Sequence, residues 1–549
     1  MDKNEFAKGA VSLMLKDKRT VLMLILSAVT TGAAVTFSKY LGFIGWASMI
    51  PMISVIVALS ENKAVRAREV FAAGLIYFEC FYAVCYHWFF YLHPLDFTGI
   101  TGFASILTCT LACFGLALLQ AIGGGLFFLA TVFALRTETV KRLPALKLFV
   151  PASLYSFLEF TQTLGSCGVP WARLAIGQTD YIIPVQIASV LGSYGVTFVI
   201  VLINTLLALA IIAEKRNTAR VYALSALAIF FVNMLLGTLI FCRTEKRISD
   251  ADTVTVALIQ GNYDSSDKWI ASPPQILEKY LHYTELAASE GAELIIWPET
   301  ALPFIISEGT VSSNRIAIAA RDLNVTVLVG TITSDGENDY NSVMCYLPDG
   351  SICDTVYNKR HLVPFGEFVP MQGLVDTLLP FLSDISIASD PMVPGNDTGI
   401  FNTPKYSMGS IICFDSIYEE SVRQTVKDGA SLICLSTNDS WFRDSLAVYM
   451  HTNHARLRAI ENGRFVARSA NTGLSAVISP SGTVSEALPL MEEGYLIGEL
   501  APLTHATLYT SIGFIFIYIL GFFSAIPFLC DSLLIIKNRS RVPKYKQSL

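Results

Sequence analysis

Residues 293–300 read Glu293-Leu-Ile-Ile-Trp-Pro-Glu-Thr300, and the fold of nearly half the chain turns on them. An apolar run this short, closed by proline, predicts a strand covered on both faces, as central strands of α/β sheets are. Glu299 then stands just past the strand's carboxyl end, where open α/β sheets gather their ligand sites. The pattern continues outward. Strands are predicted over 253–260, 325–332, 340–347, 352–357, 407–413, 431–436, 463–470 and 475–479, with a helix over 274–289. Turn signals fall at Pro348-Asp349-Gly350 and Pro480-Ser481-Gly482. Residues 252–500 therefore predict one α/β domain.

Two more positions carry chemistry. Cys413 closes a predicted strand and precedes a predicted helix starting near Ser416, whose terminal amides would favour a nucleophilic thiolate. Lys359 opens the segment Asn358-Lys-Arg-His-Leu-Val-Pro-Phe-Gly-Glu-Phe-Val-Pro370. Singly, each has a plainer reading: a solvated strand-end glutamate, a cysteine filling core, a surface lysine. Eleven cysteines show no CxxC pair and no Cys/His cluster at metal-ligand spacing, so neither a zinc site nor a disulfide framework is expected. His451 and His454 lack the metalloprotease glutamate and read as structural. No metal and no cofactor is expected.

The rest of the chain belongs to a membrane. At 549 residues, 53% hydrophobic and only 15% charged, the chain is too apolar for an ordinary soluble protein. Apolar stretches at 20–37, 40–60, 69–92, 102–135, 147–162, 186–212, 220–241 and 508–536 predict eight transmembrane helices. The fourth, at about 51 Å if fully helical, is long enough to raise the alternative of two spans. Read as one helix, it puts Lys63, Arg66, Arg68, Arg136, Lys141, Arg142, Lys215, Arg216 and the basic tail on one side. The positive-inside rule makes that side the cytoplasm, with both termini there and the α/β domain outside. Arg243, Lys246 and Arg247 dissent, on the outer face. The expected division is a membrane domain over 1–242 with seven spans, an extracytoplasmic domain over 243–507, and an eighth span with a tail over 508–549. A net charge of -6 without a basic face excludes nucleic acid as a partner.

Glutamate, lysine and cysteine in this order, each in a distinct neighbourhood, resemble the carbon-nitrogen hydrolase (nitrilase) superfamily. Ala257-Leu-Ile-Gln-Gly-Asn262 with Trp269, Trp297-Pro-Glu-Thr300, Tyr340-Asn-Ser342, and Leu-Val-Pro-Phe-Gly-Glu ending at Glu367 carry the likeness. So do Ser436-Thr-Asn-Asp-Ser-Trp-Phe442 and Arg456-Leu-Arg-Ala-Ile-Glu-Asn-Gly-Arg464. Together with the membrane frame and Gly168-Val-Pro-Trp-Ala172, they resemble the apolipoprotein N-acyltransferase family over nearly the whole chain.

The resemblance implies a nitrilase-like α-β-β-α sandwich set into the membrane helices, in a bacterial cytoplasmic (inner) membrane. It implies that Cys413 takes a fatty acyl group from a phospholipid as a thioester and passes it to the α-amino group of a diacylated lipoprotein. Glu299 would act as base and Lys359 would stabilise the oxyanion, with Glu367 and Asp415 supporting. Trp269, Phe414 and Trp441 are expected at the substrate, and the apolar arm 374–382 with Phe365, Phe368 and Met371 at the membrane surface. The protein is expected to act as a monomer. One departure stands out: the family commonly has Cys-Tyr-Glu where this chain has Cys413-Phe414-Asp415, so the roles of 414 and 415 stay open. Two rivals also stay open, a membrane-anchored amidase or nitrilase-type hydrolase using the same triad, and a silent scaffold.

Overall fold

The computed structural model describes residues 17–95, 99–165, 168–264, 272–378 and 392–540. Trp269 and the end of the expected apolar arm, from 379 on, lie outside these.

All eight apolar stretches form helix. In the membrane half these are α1 (Lys18–Thr36), the broken segment Ser38–Glu61 ending in α2 (Ile50–Glu61), α3 (Ala67–Cys85), α4 (Gly102–Arg136), α5 (Leu146–Thr161), α6 (Ala188–Ile212) and α7 (Arg216–Ser249). The last, α8 (Ile515–Ser540), follows the α/β domain. Among the described residues, six helices are long and apolar enough to cross a membrane. The two outside that set are α3, which carries Arg68, Glu69 and Glu79, and α5, which has only 16 residues. The long stretch is a single helix of 35 residues. One side of α4 is a row of small residues, Ser105, Cys109, Cys113, Ala117, Ala121 and Gly124, buried against the bundle. Its other side exposes Phe103, Leu107, Leu111, Phe114 and Leu118, as a lipid-facing surface does.

Inside α6 the backbone breaks at Gly192, with φ 73°. A Cβ there would lie 2.6 Å from the Tyr509 ring, so both conformation and space require glycine. The break frees the Ser193 amide, which donates to Glu461 Oε1 across the domain boundary at 2.8 Å.

The soluble half is two sheets face to face. The first runs β13-β1-β2-β4-β5-β6, with β3 added at β4. Its strands are β1 (Val254–Gln260), β2 (Leu294–Ile296), β3 (Leu302–Ile305), β4 (Thr326–Ser334), β5 (Asp339–Tyr346), β6 (Tyr357–Asn358) and β13 (Gly494–Leu500). The second runs β12-β11-β10-β9-β8-β7. It contains β7 (Gly399–Asn402), β8 (Ser407–Ile412), β9 (Leu432–Thr437), β10 (Val466–Ala470), β11 (Ala476–Ile478) and β12 (Val484–Ala487). Val256, Leu258, Ile296 and Leu328 of the first sheet meet Met408, Ile412, Cys434 and Ala467 of the second in one dry core. Two helices, Pro273–Ser289 and Val311–Leu323, cover the first sheet, and two, Glu419–Lys427 and Ala447–Asn462, cover the second. The result is the α-β-β-α sandwich expected.

Some sequence expectations are corrected. Residues 352–357 do not form one strand: Ile352 makes a single bridge to Tyr346, and pairing resumes only at Tyr357. Strands β3, β7, β12 and β13 were not expected; β12 is edge strand with mostly exposed side chains, and β13 pairs with β1 from the far end of the domain. Helix α7 itself runs on past residue 242 to Ser249.

Candidate active site

Each of the three chemical residues sits in a turn that the sandwich core fixes. Past β2, Trp297 is buried, stacks on Tyr280 and donates its indole N–H to Thr284 Oγ1 at 3.0 Å. Gly330 of β4 lets the turn come close, since a Cβ there would stand 2.1 Å from the Pro298 carbonyl oxygen. Glu299 follows with its carboxylate fully engaged. Oε2 accepts from the Asn438 amide at 2.8 Å, and Oε1 accepts from Lys359 Nζ and Asn341 Nδ2, both at 2.8 Å.

Lys359 extends β6 and is held at both backbone ends, its N–H on the Asn341 carbonyl and its carbonyl under the Gly395 amide, both 2.8 Å. Its ammonium also reaches Glu367, 3.0 Å from Oε1 and 2.9 Å from Oε2. Burial works against that charge, but Glu299 and Glu367 outweigh it and hold Lys359 well above the ordinary lysine range. The same Asn341 amide nitrogen donates to Glu367 Oε1 at 2.8 Å, so one NH2 group bridges two carboxylates that would otherwise repel. The Tyr340-Asn-Ser342 motif marked the position; its role as a bridge is visible only in three dimensions.

Cys413 leaves β8 with φ 45°, a left-handed conformation costly for a residue with a Cβ. Strain of that kind persists where surroundings impose it, and here it ends the strand at Cys413. The helix expected to begin near Ser416 and activate the thiol does not do so. A short 3-10 turn, Cys413–Ile417, comes first, and the α-helix starts at Glu419. Burial and the nearby Glu299 carboxylate push the Cys413 thiol up, more than Lys359 draws it down. At rest the sulfur therefore keeps its proton and needs a base to lose it.

Asp415 is fully buried and contacts backbone directly. Oδ1 accepts from the His361 amide at 2.7 Å and from its ring Nδ1 at 3.0 Å, and Oδ2 accepts from Tyr357 O–H at 2.7 Å. Burial opposes its charge, but these partners hold its carboxyl below the usual range. Asp415 thereby ties the cysteine turn to the lysine segment. Phe414 lies edge-on to Tyr418 at 5.6 Å and packs against the membrane-domain core. Trp441 is half-buried in the turn Ser440–Phe442, and the adjacent Phe442 meets Trp88 and Trp171 from the membrane half. Phe365 and Met371 are exposed.

A second network supports the sulfur from behind. His451 joins Ser416 Oγ and the Cys413 carbonyl on Nε2, at 3.0 and 3.2 Å, and Asp439 Oδ1 on Nδ1 at 2.9 Å. Arg468 donates to Asp439 Oδ2 at 2.6 Å. Ligand atoms of Cys413, Asp439 and His451 lie within 4.8 Å of one another, a spacing that could hold a metal ion. The donor set does not fit one: both Asp439 oxygens are already bonded, and the Arg468 guanidinium stands 3.2 Å from His451 Nδ1, where a cation would be repelled. His454 instead serves the domain junction, bonding the Trp171 carbonyl at 2.9 Å.

Comparison with known proteins agrees with both halves. Residues 255–507 match the carbon-nitrogen hydrolase family, and residues 29–206 match the apolipoprotein N-acyltransferase N-terminal domain. The apolipoprotein N-acyltransferase of Geobacter metallireducens is 32% identical over 63% of this chain and 67% of its own length. That of Haemophilus ducreyi is 31% identical over 68% and 74%, and that of Shewanella oneidensis 29% identical over 90% and 92%. With a carbon-nitrogen hydrolase sandwich carrying a Glu-Lys-Cys cluster, a multi-pass membrane frame and this likeness across both, the chain belongs to the apolipoprotein N-acyltransferase family.

Proposed function

We propose that Cys413 carries an acyl group from a membrane phospholipid to the α-amino group of a diacylated lipoprotein, with Glu299 moving the protons. The observation that carries this reading is the buried Glu299-Lys359-Glu367 cluster, set beside a thiol that burial keeps protonated.

In the first half-reaction Glu299 takes the thiol proton as sulfur attacks the ester carbonyl and a C–S bond forms. The oxyanion gathers charge beside the Lys359 ammonium, which two carboxylates keep fixed and charged. Collapse breaks the ester C–O bond, and Glu299 returns the proton to the departing lysophospholipid. In the second half-reaction the lipoprotein amine attacks the thioester, the C–S bond breaks, and the amine's proton passes through Glu299 back to sulfur. Glu367 and Asn341 hold the lysine and the base in register, and Asp415 holds the two active turns together.

We read the basic loops as cytoplasmic by the positive-inside rule, with both termini there and the sandwich outside, and we expect the protein to act as a monomer. Single cysteines in the 93–101 and 136–146 loops, labelled from opposite sides of the membrane, test that orientation; labelling from one side contradicts it. Initial rates with phospholipid and a diacylated lipopeptide varied together should give parallel double-reciprocal lines. Intersecting lines would remove the free acyl-enzyme, and hydrolysis of small amides without lipid would favour the amidase reading.

A further inference from the structure

The catalytic chemistry leaves unused the one basic cluster that opposes the chain's charge bias. Arg243 and Arg247 line a cavity of about 540 Å³ between α7 and the sandwich. Its wall on α7 is a single helical face, Ile240, Arg243, Thr244 and Arg247. The opposite wall is the strap that leads back to the membrane, with Leu503, His505 and Leu508.

Charge in this cleft is net positive, two arginines against the one carboxylate of Asp250. Both arginines are exposed, and neither makes an ion pair or a side-chain hydrogen bond among the described residues. Asp250 shares the lining but pairs with neither. Behind His505 lies Arg464, buried and bonded only to carbonyl oxygens, those of His505 at 2.6 Å, Ala430 at 2.8 Å, Gly463 at 3.1 Å and Asn462 at 3.4 Å.

Depth follows from topology. The chain leaves the membrane through α7 and re-enters after Leu508, so a cleft made by these two ends lies at the bilayer surface. The start of α6, which descends from the same surface, closes it through Ser189 and Val190. Below Arg243 the same face of α7 carries Leu236, 44% exposed, and across the cleft Leu508 is 52% exposed, an apolar path toward the hydrocarbon. The acyl-transfer centre is elsewhere: the helix Ala447–Asn462 touches Cys413 through His451 but reaches this cleft at its far end, through Ile460 and Gly463, about 18 Å along the axis.

We infer that this cleft is a second lipid site, in which Arg243 and Arg247 bind the phosphate of an anionic phospholipid headgroup whose chains run down α7. Guanidinium forks suit phosphate, and a headgroup at this depth brings its own apolar anchor. The bound lipid clamps the end of α7 to the strap at the junction of sandwich and membrane.

Native mass spectrometry of the full-length Cys413→Ala protein, which consumes no donor, tests this by titration with phosphatidylglycerol and separately with inorganic phosphate. Phosphatidylglycerol should bind about tenfold more weakly to Arg243→Gln/Arg247→Gln. Lys246→Gln, on the same helix end but outside the lining, should change binding less than about twofold, and Arg243→Lys/Arg247→Lys should retain most of it. His505→Glu, which puts a carboxylate on the opposite wall, should weaken binding without touching α7. Unchanged affinity in both the Gln pair and His505→Glu overturns the site. Displacement of the lipid by equimolar inorganic phosphate overturns the lipid assignment.

Discussion

Two of the buried charge clusters among the described residues are built to opposite specifications. At the domain junction, Arg173, Glu419, Arg458 and Glu461 have 0–1% exposed side chains and set two basic groups against two acidic ones. Their oxygens are further bonded by Ser193 and Tyr194. At the proposed catalytic centre, Lys359 faces two carboxylates, Glu299 and Glu367, so the cluster carries an excess negative charge next to a thiol. The junction cluster engages each acid with an arginine, although Arg173 Nε, Arg458 Nε and Glu461 Oε2 make ion pairs without a well-aligned hydrogen bond. The unbalanced one leaves a base that can accept a proton and a cation that can meet a developing oxyanion. Imbalance in a buried cluster, more than burial itself, separates working charge from structural charge here.

Substitutions can break that distinction, beginning where the effect is largest. Glu299→Gln should slow acyl-enzyme formation by about 10³-fold while making Cys413 more reactive to iodoacetamide at pH 8, because the carboxylate that pushes the thiol up is gone. Acyl-enzyme formation at the wild-type rate would contradict the assignment of Glu299 as base. Lys359→Met should cost about 10²–10³-fold in rate, as loss of an oxyanion donor does. The junction should answer differently. Arg173→Met leaves buried Glu419 with only the longer Arg458 contact as a charge partner and should lower stability by about 3–5 kcal/mol in denaturant unfolding, whereas Arg173→Met/Glu419→Met should lower it far less. Equal losses would show that the pair is net stabilising.

Two smaller effects sharpen the picture. Asp415 contacts no substrate in this account, so Asp415→Asn should lower kcat about tenfold with little change in KM. Its carboxyl is depressed in the folded state, so it contributes stability above its unfolded value near pH 3.9, lost as pH falls through the depressed value. The variant should flatten the acid limb of the stability curve. Burial pushes Glu461 the other way, up to about 7. Ionising it therefore costs stability as pH rises from its unfolded value near 4.3 to about 7, and Glu461→Gln should remove that slope.

Much of this was legible in the sequence because it is written locally. Apolar runs declare spans without reference to partners, and 293–300 declares a buried strand with a carboxylate at its end. Glu299, Lys359 and Cys413 stand out through their flanking motifs. What escaped depends on partners distant in the chain. Asn341 is an ordinary strand residue until Glu299 and Glu367 close on it from 42 and 26 positions away. His451 and Arg468 acquire meaning only through Asp439. The reading of Cys413 as a helix-activated thiolate failed for the same reason: local sequence suggested a helix terminus, whereas burial in the folded sandwich, with a carboxylate from the other sheet beside it, keeps the proton on sulfur. Strand β12, Val484–Ala487, lacks a buried face and so gave no periodic signal.

The central claim is that Cys413 holds the acyl group between substrates. The purified protein should be mixed with phospholipid in the absence of acceptor and its intact mass measured, for the wild type and for Cys413→Ala. The account predicts one added fatty acyl chain on the wild type alone, discharged promptly by a diacylated lipopeptide and slowly by water. An unmodified wild type, or an equal adduct on Cys413→Ala, would contradict it.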